Sequence, residues 1–192
     1  MQDIAEDLVA KAVAALAGPG PSLYAALDEL PAPIYVTDQE GVVIHFNPAC
    51  VDFAGRTPVP GQDRWCVTWK LYTDDGQFLP HDRCPMAEAI VQKRAVRGLT
   101  AIAERPDGTR VHFMPYPTPL FDEGGSLRGA VNVLIDITDR RQAAALRNQA
   151  ARCERLSREV TDPAVRENLL TLAHEYLAKA MQLERKQAGF PD

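Results

Sequence analysis

The segment His81-Asp-Arg-Cys-Pro-Met86 holds the densest group of side chains in this chain that could bind a metal ion. An imidazole and a thiolate can share one metal ion, and Cys or Met can ligate haem iron. The simpler interpretation is a helix start, with Pro85 at the first helical position and Met86 packed inward. We expect the helix start, and we keep a metal or haem redox sensor at His81, Cys84 and Met86 as the alternative.

Two further residues could carry chemistry by their type. His174, in Ala173-His-Glu175, has the His-Glu order of a phosphoacceptor helix, but Tyr176-Leu-Ala-Lys179 follows where Arg-Thr-Pro would be expected. The sequence also contains no Gly-rich or Asn-rich nucleotide motif of a kinase. We expect His174 to be a solvated helical residue, with phosphotransfer as a remote alternative.

The four cysteines, Cys50, Cys66, Cys84 and Cys153, form no Cys-x-x-Cys pair, and we expect reduced and mostly buried thiols. The chain lacks the Gly-x-Ser-x-Gly and His-Glu-x-x-His patterns and a Gly-rich phosphate loop. We therefore expect no catalytic residues and no enzyme.

The composition limits the class of protein. The chain has 192 residues, 46% of them hydrophobic, and a net charge of −5, which does not favour nucleic-acid binding. No apolar run approaches the roughly 18 residues of a membrane span, and acidic residues appear early at the N-terminus. We expect a cytoplasmic protein with no nucleic-acid or membrane partner.

Periodicity and turn residues predict the elements that position these side chains. A hairpin is expected from strands 34–38 and 42–46 around Gly41, and Asn47 should cap a short helix through Phe53. Residues 55–83 show no regular pattern. Three β-rich stretches are expected at 96–105, 109–120 and 127–137, and helices at 2–17, 22–30, 85–94, 139–160 and 163–187.

Several helix faces and ends can be predicted as well. Gly18-Pro-Gly-Pro21 should end the first helix, and Ser22 should cap the second. The inward residues expected are Ile4, Leu8 and Ala12 in the first helix, and Met86, Ile90 and Val91 in 85–94. In the helix 139–160 they are Leu146, Cys153, Leu156 and Val160, and in the last helix Val165, Leu169, Leu172, Tyr176, Ala180 and Leu183. The apolar residues of the two C-terminal helices suit a coiled coil between chains or a hairpin within one chain. The two arrangements are compatible with each other.

The hydrophobic period changes within three residues at Asp136-Ile137-Thr138. The preceding residues read as a buried strand, and the following ones as a helix rich in Ala, Arg and Gln, with Thr138 or Asp139 as its cap. A strand that continues directly into a long helix couples a sheet to something outside it. We therefore expect Asp136, Ile137 and Thr138 to couple a signal.

Three motifs occur in the order found in the PAS domain family, which this chain resembles over residues 22–140. They are the hairpin and its Asn-Pro-Ala exit within Ile34–Ala49, the turn Pro106-Asp-Gly-Thr-Arg110, and Asp136-Ile-Thr138 followed by Asp139-Arg-Arg141. The resemblance implies an α+β fold, with a five-stranded antiparallel sheet, helices on one face and flanking N- and C-terminal helices. It also implies three regions: an N-terminal helix (1–20), a PAS sensor domain (21–138) and a helical hairpin for signalling or dimerisation (139–192).

The resemblance also bears on cofactors. The flavin-binding LOV subset uses a reactive Cys in Gly-x-Asn-Cys-Arg-Phe-Leu-Gln, whereas Cys66 lies in Asp63-Arg-Trp-Cys-Val-Thr-Trp69, so we expect no flavin photochemistry. Haem-binding members usually take a His from the helix that corresponds to 85–94, which contains none. The residues that could line a ligand pocket, or equally be ordinary core or half-exposed strand residues, are Tyr35, His45, Phe46, Trp69, Met86, Ile90, His112 and Met114.

These observations together predict a stand-alone PAS signalling protein of the bacterial two-component type. Its signal would be a small ligand or a protein partner. Its output would be a change in the flanking helices, through which we expect it to form a homodimer.

Overall fold

The computed structural model describes residues 2–17 and 24–187, which form two compact units, 1–136 and 137–192. In the described residues, the first unit contains four α-helices and seven strands, as in a mixed α+β domain, and the second contains two long helices. The strands are β1 (Ile34–Asp38), β2 (Val43–Phe46), β3 (Lys70–Tyr72), β4 (Phe78–Leu79), β5 (Ala101–Glu104), β6 (Arg110–Phe121) and β7 (Leu127–Asp136). The helices are α1 (Gln2–Ala17), α2 (Ala25–Asp28), α3 (Ala49–Ala54), α4 (Pro85–Gln92), α5 (Thr138–Glu159) and α6 (Pro163–Gln187), with a 3₁₀ turn at His81–Arg83.

The strands form one antiparallel sheet in the order β2-β1-β7-β6-β5-β3-β4. The five strands expected from the sequence are all present, so the expected fold class is confirmed. The sheet has two further strands, β3 and β4, within residues 55–83, where the sequence shows no regular pattern. They span three and two residues, too few for periodicity to reveal, and they arise from pairing with each other and with β5.

Alternation along β1 and β7 divides the core between the two faces of the sheet. Tyr35 and Leu134 belong to an inner core under α3 and α4, whereas Ile34 and Val133 belong to an outer core under α1 and α2. Both pairs are fully buried, because β1 and β7 are interior strands with a neighbour on each side and a core on each face. Helices therefore cover this sheet on both faces.

The N-terminal helix is confirmed, but its buried face is rotated from the expected one. Ala5, Leu8, Val9 and Ala12 pack on the outer core, while Ile4 is 65% exposed. The sequence offers apolar residues on more than one side of α1, so the sheet decides which side is buried. The predicted stop at Gly18–Pro21 and the cap at Ser22 lie outside the described residues, and α2 is limited to Ala25–Asp28.

The long strand β6 contains Pro115, Pro117 and Pro119 at alternate positions. Proline is normally confined to strand edges because it has no N–H to donate. β6 pairs with β5 only from Arg110 to Phe113, so the later part of β6 has no strand on that side. The carbonyl of Pro117 accepts hydrogen bonds from the Val96 N–H and from the Arg97 guanidinium, which shows that the proline backbone faces that open side. The prolines thus keep the exposed edge from pairing with another strand.

Three local predictions are wrong. Asn47 does not cap α3, because Pro48 occupies the cap position and the Asn47 amide bonds the segment before β1. Val91 is 76% exposed, because α4 turns only one narrow side to the inner core. The first helical residue of α5 is Thr138 itself, and the cap position is taken by Ile137, which has no capping side chain.

The second unit is an antiparallel hairpin of α5 and α6 joined at residues 160–162. The Asp162 carboxylate accepts hydrogen bonds from the N–H groups of Ala164 and Val165 and so caps α6. Arg147 and Glu184 form a two-pronged ion pair across the hairpin at 3.0 and 2.7 Å. None of the helices in the described part of the chain is long and apolar enough to cross a membrane.

Small side chains fill the hairpin seam, which confirms Cys153 and Ala180 as inward residues and corrects other expected ones. The buried residues are Ala143, Ala150, Cys153 and Ser157 on α5, and Ala173 and Ala180 on α6. Small residues let two helix backbones approach closely, so the larger side chains are displaced to the flanks. Leu156, Val165 and Leu172, expected inside, are 38%, 44% and 37% exposed.

Candidate functional sites

The inner core contains a buried polar network centred on Tyr35. The Tyr35 hydroxyl donates to the Trp65 carbonyl at 2.9 Å and accepts from Asn132 Nδ2 at 3.0 Å. Asn132 Oδ1 in turn accepts from the Tyr116 N–H at 2.9 Å. The network therefore connects β1, β6, β7 and the loop before β3 through side chains that are shielded from water.

Three thiols surround this network. The Cys66 sulfur accepts a hydrogen bond from Thr68, and Cys84 Sγ lies 3.7 Å from the Trp65 carbonyl. Burial raises the pKa of Cys66 and of Cys50, and it raises the pKa of Cys84 to about 12. Burial likewise raises the pKa of Tyr35 well above its usual value. The inner core therefore holds neutral thiols and a neutral phenol.

The structure brings only part of the predicted pocket set together. Tyr35, Met86 and Ile90 lie in the inner core with Phe46 against it, and their role as ligand contacts stays a prediction.

The other four predicted residues lie elsewhere. Met114 packs on the outer core. His112 lies two residues earlier on β6 and therefore on the same face of the sheet. His45 stacks on Tyr24 at 4.2 Å and bonds Asp28 at 3.0 Å, whereas Trp69 is 54% exposed. These residues cannot line one pocket with the inner set, because the sheet separates most of them from it.

The segment His81–Met86 does form the predicted helix start, with Pro85 first in α4. Cys84 and Met86 are buried in the inner core. His81 Nε2 is buried without a hydrogen-bond partner among the described residues, and burial lowers the pKa of this imidazole. No group of three or more His, Cys, Asp and Glu side chains in residues 2–17 and 24–187 is placed to hold a metal ion. The metal and haem alternatives stay predictions.

A cavity of about 400 Å³ lies on the outer face of the sheet, beneath the last turns of α1. It opens to solvent, and its lining combines apolar side chains with polar surface. Its walls include Val13 and Leu16 of α1, Val36 and Ile44 of the β1–β2 hairpin, Leu120 of β6 and Arg128 of β7. No local sequence pattern predicts this cavity, because its walls come from segments that are far apart in the chain. Ile44 is a large apolar residue on a strand and is 43% exposed at the cavity.

Arg97 fastens α1 over this face of the sheet. Its Nε donates to Glu6 of α1 at 2.8 Å, and its Nη1 donates to the Pro117 carbonyl at 3.0 Å. Its Nη2 donates to the Thr118 hydroxyl at 3.0 Å, and the guanidinium lies over the Tyr116 ring at 5.4 Å from the centroid. One side chain thus joins the helix to β6, and sequence patterns gave no sign of it.

The predicted coupling residues occupy the junction of the two units. β7 ends at Asp136 and α5 begins at Thr138, so Ile137 is the single residue between β7 and the hairpin. Six consecutive residues of β7, from Gly129 to Leu134, are buried. The strand that leads to the hairpin is therefore enclosed along most of its length.

A family model described as PAS fold matches residues 27–142. This match covers more than half of the chain, which therefore belongs to the PAS fold family and carries a sensory signalling domain. No curated protein sequence matches the chain.

Solved structures of the same fold are similar to it at low identity. An RNA-binding light-oxygen-voltage receptor is 21% identical, with a TM-score of 0.47, over 62% of this chain and 33% of the receptor. The PAS domain of the fruit-fly ELK potassium channel is 14% identical, with a TM-score of 0.48, over 61% of this chain and 95% of that domain. A LOV protein of Rhodobacter sphaeroides is 14% identical, with a TM-score of 0.42, over 94% of this chain and 98% of its own. The chain thus spans about a third of the length of the first of these proteins.

Proposed function

We propose that this is a cytoplasmic sensory protein in which a change in the PAS sheet alters the packing of the α5–α6 hairpin. The observation that carries the proposal is the direct passage from β7 to α5, with Ile137 as the only residue between them. A short connection transmits displacement, because it leaves few backbone dihedrals that could absorb it. β7 pairs with β6 along its length and with β1 from Gly129 to Val133, so a movement of either neighbour reaches it.

We propose that the output is a change in association between two copies of the chain rather than a chemical reaction. The hairpin exposes large apolar side chains on both flanks of the seam on α6, namely Val165 and Leu172 on one side and Leu170 and Met181 on the other. Exposed apolar residues in such rows are typical of interaction surfaces. A second hairpin packed on them would complete a four-helix bundle.

The association is tested by light scattering coupled to size-exclusion chromatography on the full chain. We expect a dimer that the Leu172→Glu substitution dissociates, because it would bury an unpaired carboxylate in the apolar contact. Leu99→Glu, at a residue that is 41% exposed in the first unit, is the matched control and should remain dimeric. A wild-type chain that stays monomeric at every concentration would contradict the proposed output.

The relay is tested by a coupling experiment on the dimer dissociation constant. Arg97→Ala removes the polar attachment of α1 to β6, and we expect it to change the constant by at least about fivefold, the lower end of usual coupling energies. Arg83→Ala, at an exposed arginine of the same unit, is the control. Two glycines inserted between Ile137 and Thr138 should abolish the effect of Arg97→Ala. An unchanged constant in Arg97→Ala, or an equal change with the insertion, would contradict the relay.

A further inference from the structure

We propose that the outer cavity under α1 binds a medium-chain monocarboxylic acid, with the hydrocarbon chain against its apolar walls and the carboxylate on Arg128. This inference deepens the proposed function, on which it rests for its consequence, by naming the chemical class of the signal. The site lies on the face of the sheet opposite α3 and α4, and it does not include the residues that the sequence predicted for a pocket.

The size and the lining of the cavity set the body of the ligand. Ligand pockets usually occupy about 300–1,000 Å³ and are mostly apolar with a few placed polar groups. At roughly 30 Å³ for each water-sized group, 400 Å³ holds about a dozen such groups. A carboxylic acid of about ten carbon atoms has this size, and Val13, Val36 and Ile44 provide aliphatic walls for its chain.

The charge of the lining sets the head group. Arg128 is the one charged residue among the described residues that line the cavity, and no described acidic side chain pairs with it. By contrast, Arg56, Arg97 and Arg110 of the same unit each pair with a carboxylate at 2.7 to 2.8 Å. A guanidinium presents two parallel N–H donors that fit one carboxylate. An arginine that no described acidic side chain pairs with, beside aliphatic side chains, therefore matches a ligand with one negative charge and an apolar body.

The position of the cavity connects the ligand to the relay. Its walls come from α1, which Arg97 holds to β6, and from β7, which continues into α5. A ligand in the cavity would contact both the helix and the strand at once. The ligand would shift the distance between α1 and β7 only if it binds more tightly to one arrangement of α1 than to another. The size of the shift is set by that difference in affinity.

The test is calorimetric titration of the full chain with decanoate at concentrations where decanoate is monomeric. We expect one site per chain. Decan-1-ol should bind about fivefold more weakly than decanoate, and decanoate should bind Arg128→Gln about fivefold more weakly than it binds the wild-type chain. Ile44→Trp should abolish binding, because the larger ring fills the cavity from its exposed side. The matched controls, Arg83→Gln and Val91→Trp, change similar exposed residues that do not line the cavity, and they should bind as wild type does.

Three outcomes would overturn the inference. They are equal binding of decanoate and decan-1-ol, unchanged binding to Ile44→Trp, and absence of saturable binding. Decanoate that binds without changing the dimer dissociation constant would leave the site standing and remove the relay. If Arg97→Ala changes the dimer dissociation constant but the chain does not bind decanoate, the relay stands and the proposed site is wrong.

Discussion

Asn47 should be one of the residues on which the first unit most depends, and its replacement by alanine tests how the β1–β2 hairpin is held. The side chain is completely buried. Its Oδ1 accepts from the Ile34 N–H at 2.9 Å, and its Nδ2 donates to the carbonyls of Ala32, Leu27 and Leu30 at 2.8, 3.2 and 3.3 Å. One amide thus fixes the chain between α2 and β1.

The size of the effect follows from the two short bonds. Alanine would leave the Ile34 N–H and the Ala32 carbonyl without their side-chain partner in a region that water does not reach. Each unsatisfied buried group costs about 1–3 kcal/mol, so the expected loss is about 2–6 kcal/mol in the free energy of unfolding. Whole domains are stable by about 5–15 kcal/mol, so Asn47→Ala should leave the first unit marginal.

Urea denaturation followed by tryptophan fluorescence measures this loss, because both tryptophans, Trp65 and Trp69, lie in the first unit. Gln92→Ala is the control, since it removes an exposed side-chain amide from α4 of the same unit. It should change the free energy of unfolding by less than about 0.5 kcal/mol.

Asn47→Asp separates the donor role from the acceptor role. The carboxylate keeps an acceptor for the Ile34 N–H but would face the Ala32 carbonyl without a proton to donate. We expect a loss at neutral pH at least as large as that of alanine, and a smaller difference from wild type at low pH, where the carboxyl group is protonated. A loss below about 1 kcal/mol in Asn47→Ala, or no pH dependence in Asn47→Asp, would refute the reasoning.

Two further predictions concern the sheet and the thiols. Gly129→Ala should lower the free energy of unfolding by about 3–5 kcal/mol, because a Cβ there would lie 1.9 Å from the Thr37 carbonyl oxygen. Gly108→Ala is the control, because it has open space around it, and it should lower the free energy by about 1–2 kcal/mol. Equal losses of the two variants in urea denaturation would contradict the clash. Burial raises the pKa of Cys84 from 9.0 to about 12, so the thiol stays neutral in the folded chain while the unfolded chain ionises. Its contribution to stability is therefore full below pH 9 and is lost as the pH rises toward 12. The fall in the free energy of unfolding between pH 8 and 10 should be shallower in Cys84→Ala, and an equally steep fall would contradict the burial argument.

The sequence by itself determined the elements that have a long or clearly bounded local pattern. The hairpin around Gly41, the three later strands, α1 and the break before Pro163 were all predictable, because strand alternation, turn residues and helix breakers act over a few neighbouring residues. The change of period at Asp136-Ile137-Thr138 is local in the same sense. For this reason the PAS resemblance could be recognised from motifs alone, and the family match confirms it.

Part of the inner core was also within reach of the sequence. Tyr35, Met86 and Ile90 follow the expected apolar pattern and lie together in the structure. Asn132 was missed, although its position between Val131 and Val133 in an apolar strand was a readable signal of a buried polar contact. The sequence could not supply its partners, because Tyr35 is 97 residues away along the chain.

Tertiary structure alone decided the features on which the proposals depend. The side of α1 that is buried is fixed by the sheet beneath it, so Ile4 is exposed although its spacing suits a core. Asn47 bonds a segment 13 to 20 residues upstream instead of the helix it precedes. The outer cavity exists only where α1, the β1–β2 hairpin, β6 and β7 meet, and the attachment of Arg97 to Glu6 spans 91 residues. Such contacts depend on how the elements pack in three dimensions, and no local pattern of residues encodes that.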